Sequence, residues 1–300
     1  MSATDHIAAE VARRLPGFAG RDFVALDPGF DSSACCAEGP DGRTWCFRFP
    51  RTAIAETRLR REAAVLAALR PHVAMAVPDL TLHDGRPPFT AHPFIPGIAL
   101  TPEVWSGLPD AARDGLARDL ARFAADLHAI PLDLMRAAGA GRPPAWLPVG
   151  AVRDLALPCL PPALRIRAEA VLSAFAALSP DPLGEVFSHF DGHGWNMAFD
   201  PDQERLNGVF DFGDSGIGPV HQDFIYSAFI SPELTERMVL HYAAITGRTP
   251  DLNRIRILTG AYRLQELAEG KDDPVHGPDQ IRNVEEWARW EQRYFFGFSR

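Results

Sequence analysis

The 300-residue sequence predicts an α+β protein in two unequal lobes, a small β-rich N-terminal lobe and a larger, mostly helical C-terminal lobe. Three observations carry this. Residues 23–50 hold short apolar segments broken by turn residues, residues from 110 onward recur at helical spacing, and a proline-rich stretch near 91–97 separates the two patterns. The expected division is residues 1–97, with a hinge at about 91–97, and residues 98–300.

The elements follow in order. Ala8, Val11, Ala12 and Leu15 suggest a short amphipathic opening helix. Phe23–Leu26, Ala34–Glu38 and Thr44–Phe49 read as strands, the last two joined by a Pro-Asp-Gly turn at 40–42. A helix from about Ala53 to Leu69 places Leu59, Leu66 and Leu69 on one face, and strand-like residues resume at Val77–His83 and Phe89–Ile95. Beyond residue 110, Leu116, Leu120, Phe123, Leu127 and Ile130 alternate steps of four and three, a core-facing helical stripe. Two strands, Trp195–Phe199 and Leu206–Phe212, interrupt the helical half, and helices resume from about 232. There Trp287, Trp290 and Tyr294 recur at +3 and +4, which reads as a core stripe.

Composition narrows the function. With 46% hydrophobic residues the chain can bury a sizeable core. Its net charge of −9 argues against nucleic acid as a partner, because phosphate contacts need a basic face. Residues 1–97 carry eleven basic and eleven acidic groups, so the whole excess of acid lies in the second lobe. Lys271 is the sole lysine. The uncharged stretch Pro87–Pro102 holds five prolines and cannot be a membrane helix. The N-terminal residues lack a basic region followed by an apolar run, so no signal peptide is expected, and Cys35, Cys36, Cys46 and Cys159 form no CxxC or paired spacing. A cytoplasmic, reduced protein is expected, with no membrane association and no evident protein partner.

The densest polar chemistry lies in residues 186–214. Asp191 is followed five residues later by Asn196, and Asp211 ends an apolar strand just before Gly213. Pairing the two strands about a 200–207 turn puts Phe199 opposite Gly208 and Asn196 opposite Asp211, on one face. An amide oxygen and a carboxylate so placed suit Mg²⁺, which takes its remaining ligands from water and phosphates. Asp191 could then orient or deprotonate an attacking hydroxyl. HxDxxxxN followed by a DFG-like triplet is the spacing used by phosphoryl-transferring kinases.

SHFDGHGWNMAFD together with GVFDFGDSGIGPVHQDF resembles the aminoglycoside and macrolide phosphotransferases, especially the branch reading H-x-D-L-H-x-x-N and then I-D-F-G-D. The resemblance is specific in 186–224 and looser over the rest of the chain. It implies a bilobal protein-kinase-like fold that clamps ATP or GTP and moves a phosphate to a substrate hydroxyl. It also implies Asp191 as the catalytic aspartate, Asn196 and Asp211 as Mg²⁺ ligands, His189 as the brace of the loop and His193 as a buried structural histidine.

Further parts follow from the same resemblance. Arg48 stands where the family shows a lysine or arginine, and Glu62, on the apolar face of the 53–69 helix, is its expected partner, since a buried carboxylate needs one. Gly29–Ser33 matches the nucleotide loop, with Ser32 near the phosphates. His92-Pro-Phe-Ile-Pro-Gly97 resembles the hinge, where the Pro93 carbonyl and the Ile95 N–H would meet a purine. Asp223 would anchor the catalytic loop from beneath. Glu266 and Glu269, leading to Asp272 and Asp273, are expected to line an acidic mouth for a cationic acceptor. The sequence therefore predicts a kinase for an aminoglycoside- or macrolide-like hydroxyl compound. The alternatives are a kinase for an ordinary metabolite alcohol or amine, a nucleotide-binding but inactive relative, and a metallohydrolase using His189, Asp191 and His193. Against the last, glycines flank His193 and no second histidine cluster supplies ligands.

Overall fold

Aromatic residues recur at every second position at Trp45, Phe47 and Phe49, opposite the small residues of 32–38, and this pairing builds the first lobe. In the computed structural model, which describes residues 3–26, 32–273 and 277–295, an antiparallel five-stranded sheet runs in the order β1-β2-β3-β5-β4. Its strands are β1 (Phe23–Ala25), β2 (Ser32–Glu38), β3 (Thr44–Pro50), β4 (Thr81–His83) and β5 (Phe89–Pro93). One face packs Cys35, Ala37, Phe47, Phe49, Phe89 and Ala91 against Ile7 and Val11 of helix α1 (Ala3–Arg14). The other face, carrying Ser32, Ala34, Cys46, Arg48 and His92, opens onto a cavity.

Helix α2 (Ala53–Leu69) begins at the Thr52 hydroxyl, which accepts the Ala55 N–H at 3.1 Å. It buries Leu59, Glu62, Leu66 and Leu69 on one side. The expected strand from Val77 shrinks to Thr81–His83. Pro78 has no N–H to give a ladder, and the Ala76 carbonyl instead accepts the Val209 N–H of the second lobe at 3.0 Å.

The chain crosses to the second lobe through 94–99, where Ile98 and Phe199 exchange two backbone hydrogen bonds of 2.8 Å. The helices there are α3 (Pro102–Gly107), α4 (Asp110–His128), α5 (Leu132–Ala137), α6 (Val149–Ala156), α7 (Pro162–Ala176), α8 (Val220–Asp223), α9 (Pro232–Thr246), α10 (Leu252–Gly270) and α11 (Gly277–Phe295). The predicted stripe on α4 is buried among Phe187, Phe190, Phe212, Phe224 and Tyr242. A second cluster joins α6, α7, α10 and α11, with Trp287 at its centre, packed so closely that a Cβ on Gly260 would meet its ring at 2.5 Å. Trp290 is half-buried, and the Tyr294 side chain lies outside the described residues.

Two ribbons carry the polar segment. Strands β7 (Met197–Asp200) and β8 (Arg205–Val209) form the expected hairpin, but residues 194–196 are a 3₁₀ turn and 210–212 have left the strand. The other ribbon, β6 (Glu185–Ser188) with β9 (Gly216–Pro219), has no counterpart in the sequence expectations. Its strands are four residues long, and Gly-Ile-Gly-Pro reads as loop.

Candidate active site

The predicted register of the hairpin is corrected. Met197 pairs with Val209 and Ala198 with Gly208, and a shift follows before Phe199 meets Leu206. Asn196 therefore stands opposite Phe210, whose N–H reaches its carbonyl at 3.0 Å, and Asp211 lies one residue further on. Asp211 takes a positive φ of 61°, a conformation few non-glycine residues adopt, which turns the chain out of the strand. Asn196 and Asp211 still line one cavity, brought there by the turn rather than by cross-strand opposition.

Upstream, β6 delivers His189, Phe190 and Asp191. Phe190 also has a positive φ, of 54°, and its ring is buried. Its N–H reaches Asp223 Oδ1 at 3.4 Å, while Oδ2 meets His128 Nε2 at 3.1 Å and His128 Nδ1 meets the Tyr242 hydroxyl at 2.9 Å. Burial works most strongly against charge on Asp223, but the bond to and charge of His128, with Ser188 and His189, together outweigh it and hold the carboxyl below the usual range. Asp223 thus supports the loop from beneath.

His189 ties this loop to the 210–212 segment. Its Nδ1 accepts the Asp191 N–H at 3.2 Å, which places the ring proton on Nε2, and Nε2 donates to the Phe210 carbonyl at 2.9 Å. It stands behind the cavity wall and braces the loop.

The Asp191 carboxylate is held at both oxygens. Asn196 Nδ2 donates to Oδ2 at 2.8 Å and to the Asp191 carbonyl at 2.9 Å, while His193 Nε2 lies 3.3 Å from Oδ1. Both amide protons of Asn196 are spent there, so its oxygen is the atom left for a cation. His193 corrects the expectation of a buried structural residue: it lines the cavity and faces Asp191. Burial disfavours its charge, but the bond to Asp191 and the nearby Glu266 and Asp211 carboxylates raise its pKa.

Across the cavity, Arg48 Nη1 bridges both oxygens of Glu62 at 2.8 and 2.9 Å. Glu62, only 2% exposed, also accepts the Phe212 N–H at 3.2 Å, joining α2 to the segment carrying Asp211. Burial and the Asp211 charge push the Glu62 carboxyl up, and Arg48 opposes this. Arg61 holds the Gly213 carbonyl next door.

These groups enclose a cavity of about 780 Å³ between the lobes, with Ser32, Arg48, Glu62, Ile95, Asp191, Asn196 and Asp211 on its walls. Three predicted residues stand elsewhere. Pro93 is not on the wall, and its carbonyl meets His92 Nδ1 at 2.9 Å. Glu266 is paired with Arg263 at 2.9 Å, and Glu269 is exposed and accepts from Gln265 Nε2 at 2.5 Å, so the two do not form one acidic wall. Residues 27–31, most of the expected nucleotide loop, lie outside the described residues. The wall also includes Arg58, Trp195 and Asp214, which the sequence reading did not single out. Ala55, Arg58, Leu59 and Glu62 share one helical face, a periodicity that could have found Arg58.

The donor set fits Mg²⁺: an amide oxygen at Asn196 and a carboxylate at Asp211 are hard ligands, with Asp214 also on the wall. Among the described residues no group of three or more His, Cys, Asp or Glu could hold a metal alone.

The sequence profile of the phosphotransferase enzyme family matches residues 22–258. This chain belongs to that family. Its fold is similar to several solved members. The GDP complex of wild-type aminoglycoside 2'-phosphotransferase-IIIa is 21% identical, with a TM-score of 0.80, over 96% of this chain and 99% of that one. A macrolide 2'-phosphotransferase from Brachybacterium faecium, as the apoenzyme, is 25% identical with a TM-score of 0.68, over 93% and 98%. The streptomycin–ATP–APH(2'')-IIa ternary complex is 18% identical with a TM-score of 0.63, over 96% and 97%. No curated protein matches the sequence significantly. No helix among the described residues of this phosphotransferase is long and apolar enough to cross a membrane.

Proposed function

We propose that this phosphotransferase is a small-molecule kinase that moves the γ-phosphate of ATP or GTP to a hydroxyl of an aminoglycoside- or macrolide-like compound. The observation that carries the reading is the Asp191 carboxylate, fixed at one oxygen by Asn196 and at the other by His193, in a cavity shared with Asp211. A carboxylate held this way can orient an acceptor hydroxyl and take its proton as the phosphoryl group arrives. Asn196 and Asp211 would hold Mg²⁺, which neutralises charge on the phosphates when bound. Arg48, fixed by Glu62, would present its remaining guanidinium N–H groups to the triphosphate, and Ser32 would approach it from β2. Ile95, at the crossing between the lobes, would meet the base. We place the lobe boundary at that crossing, near residue 97.

Support for a nucleotide co-substrate comes from the relatives solved with GDP and with ATP. The test is nucleotide consumption with Mg²⁺ against a panel of aminoglycosides, macrolides and metabolite alcohols. Turnover of one acceptor, lost in Asp191→Ala, is the expected result; equal turnover in that variant would remove the assignment.

One observation favours a second acceptor class. The acidic mouth expected for a polycation is weakened, because Glu266 is already paired with Arg263 and Glu269 is exposed. An uncharged alcohol would suit such a mouth better, and the panel's neutral alcohols test it directly.

A further inference from the structure

We propose that Cys36 and Cys46 form a dithiol site on the cavity face of the N-lobe sheet, which a small peroxide converts to a cross-strand disulfide and which bound nucleotide shields. The two residues are direct partners in the β2–β3 register. Their kind of pairing follows from the turn. The Gly39 N–H donates to the Arg43 carbonyl at 2.8 Å, marking that opposed pair as hydrogen-bonded. Bonded and non-bonded pairs alternate along an antiparallel ladder. Counting back, Ala37 and Trp45 are bonded, and Cys36 and Cys46 are a non-bonded pair. Such pairs bring Cα atoms to about 4.5 Å with side chains leaning together, inside the roughly 4.4–6.8 Å range a disulfide spans.

The surrounding chemistry agrees. The neighbouring Cys46 thiol draws the Cys36 pKa down, while Cys36 and burial push that of Cys46 up. Cys46 lines the cavity two residues from Arg48. Cys35 is different: it points into the core on the opposite face, and burial pushes its thiol up to about 12. Cys159 lies in the other lobe, donating to the Leu155 carbonyl.

The reaction balances with one peroxide. The Cys36 thiolate attacks a peroxide oxygen, the O–O bond breaks, and a sulfenic acid forms as water leaves. Cys46 then attacks the sulfenic sulfur, the S–O bond breaks, and a second water leaves with the S–S bond made. Two thiols and one hydrogen peroxide give one disulfide and two waters, the sulfurs losing two electrons and the peroxide gaining them.

The experiment treats the full chain with hydrogen peroxide and maps tryptic peptides without reduction. Peptides 22–43 and 44–48 should be joined, with fragmentation assigning the sulfur to Cys36, and dithiothreitol should release them. The link should persist in Cys35→Ala and vanish in Cys36→Ala. Because fragmentation of the unaltered chain assigns the sulfur, the result survives if a variant folds poorly. A link through Cys35 or Cys159, or four intact thiols after peroxide, would overturn the proposal. The disulfide stands on register alone, whereas shielding rests on the nucleotide reading. Binding is therefore scored separately, as the melting shift of the reduced chain with ATP or GTP and Mg²⁺. A shift with at least tenfold slower cross-linking supports shielding, and a shift with unchanged cross-linking overturns it. No shift with either nucleotide would instead remove the nucleotide reading, and shielding with it.

Discussion

Glu62 Oε1 accepts the Phe212 N–H at 3.2 Å while both Glu62 oxygens receive Arg48 Nη1, so one buried carboxylate joins the third strand, helix α2 and the segment carrying Asp211. Removing it strands a guanidinium and a buried amide together. Glu62→Ala should therefore cost about 3–5 kcal/mol of stability, read by urea unfolding. Glu62→Gln keeps an acceptor for Phe212 and should recover part of that loss; equal losses would show that the amide bond adds nothing.

Arg48 separates charge from shape. Its contact to Glu62 uses one nitrogen, which a lysine ammonium could replace, but the planar fork offers further N–H groups to phosphates. Arg48→Lys should keep turnover within about tenfold of the parent, and Arg48→Met should lose about a hundredfold in kcat/KM for nucleotide. Steady-state kinetics with varied nucleotide checks both, and an unaffected Arg48→Met variant would remove Arg48 from phosphate binding.

Asp191 and Asn196 should fail differently. Asp191→Ala removes the group proposed to meet the acceptor hydroxyl, so kcat should fall by at least about a thousandfold with the fold intact. Asn196→Ala frees one Asp191 oxygen and removes the proposed metal donor, so its defect should be partly relieved by raised Mg²⁺. Titrating Mg²⁺ in the two variants distinguishes them; relief in Asp191→Ala would contradict the roles assigned.

The spacing of Asp191, Asn196 and Asp211 was legible because kinase chemistry fixes residue types at short separations, and Arg48 with Glu62 because a carboxylate on an apolar helical face demands a cation. What the sequence did not disclose was backbone geometry. The positive φ of Phe190 and Asp211 falls on residues that rarely adopt it, so no glycine marked either turn. The hairpin closes at Asp200 and Arg205 rather than across a 200–207 turn, and with that went the expected opposition of Asn196 and Asp211, which the shift after Ala198 only partly restores. His193 looked structural because a motif position carries no direction. Glu266 and Glu269 share helix α10, where Arg263 three residues before Glu266 was a readable partner, but only the tertiary fold shows that Glu269 is exposed.

Two glycines near Asp191 make a controlled comparison. A Cβ on Gly194 would run into the Leu100 carbonyl oxygen, whereas one on Gly192 meets nothing within 4 Å. Gly194 also gives its carbonyl to the Leu100 N–H at 3.0 Å, which seats the loop carrying His193 and Asn196. Gly194→Ala should destabilise by about 2 kcal/mol or more and remove turnover, while Gly192→Ala should stay within about 0.5 kcal/mol. Thermal unfolding of the pair measures this, and similar melting temperatures would mean that the close approach is relieved by small shifts.

His193 should make stability depend on pH. Its pKa in the folded chain lies above the ordinary 6.5: burial lowers it, but Asp191, Glu266 and Asp211 together outweigh that. The protonated ring therefore adds stability that is fully present below about pH 6.5 and is lost as the pH rises through the raised value. His193→Gln keeps a donor toward Asp191 but cannot titrate. The melting temperature of the parent should exceed that of the variant most below about pH 6.5, with the gap closing as the pH rises beyond it and the ring loses its proton. A gap independent of pH would mean that His193 is neutral throughout and that its contact with Asp191 is an ordinary hydrogen bond.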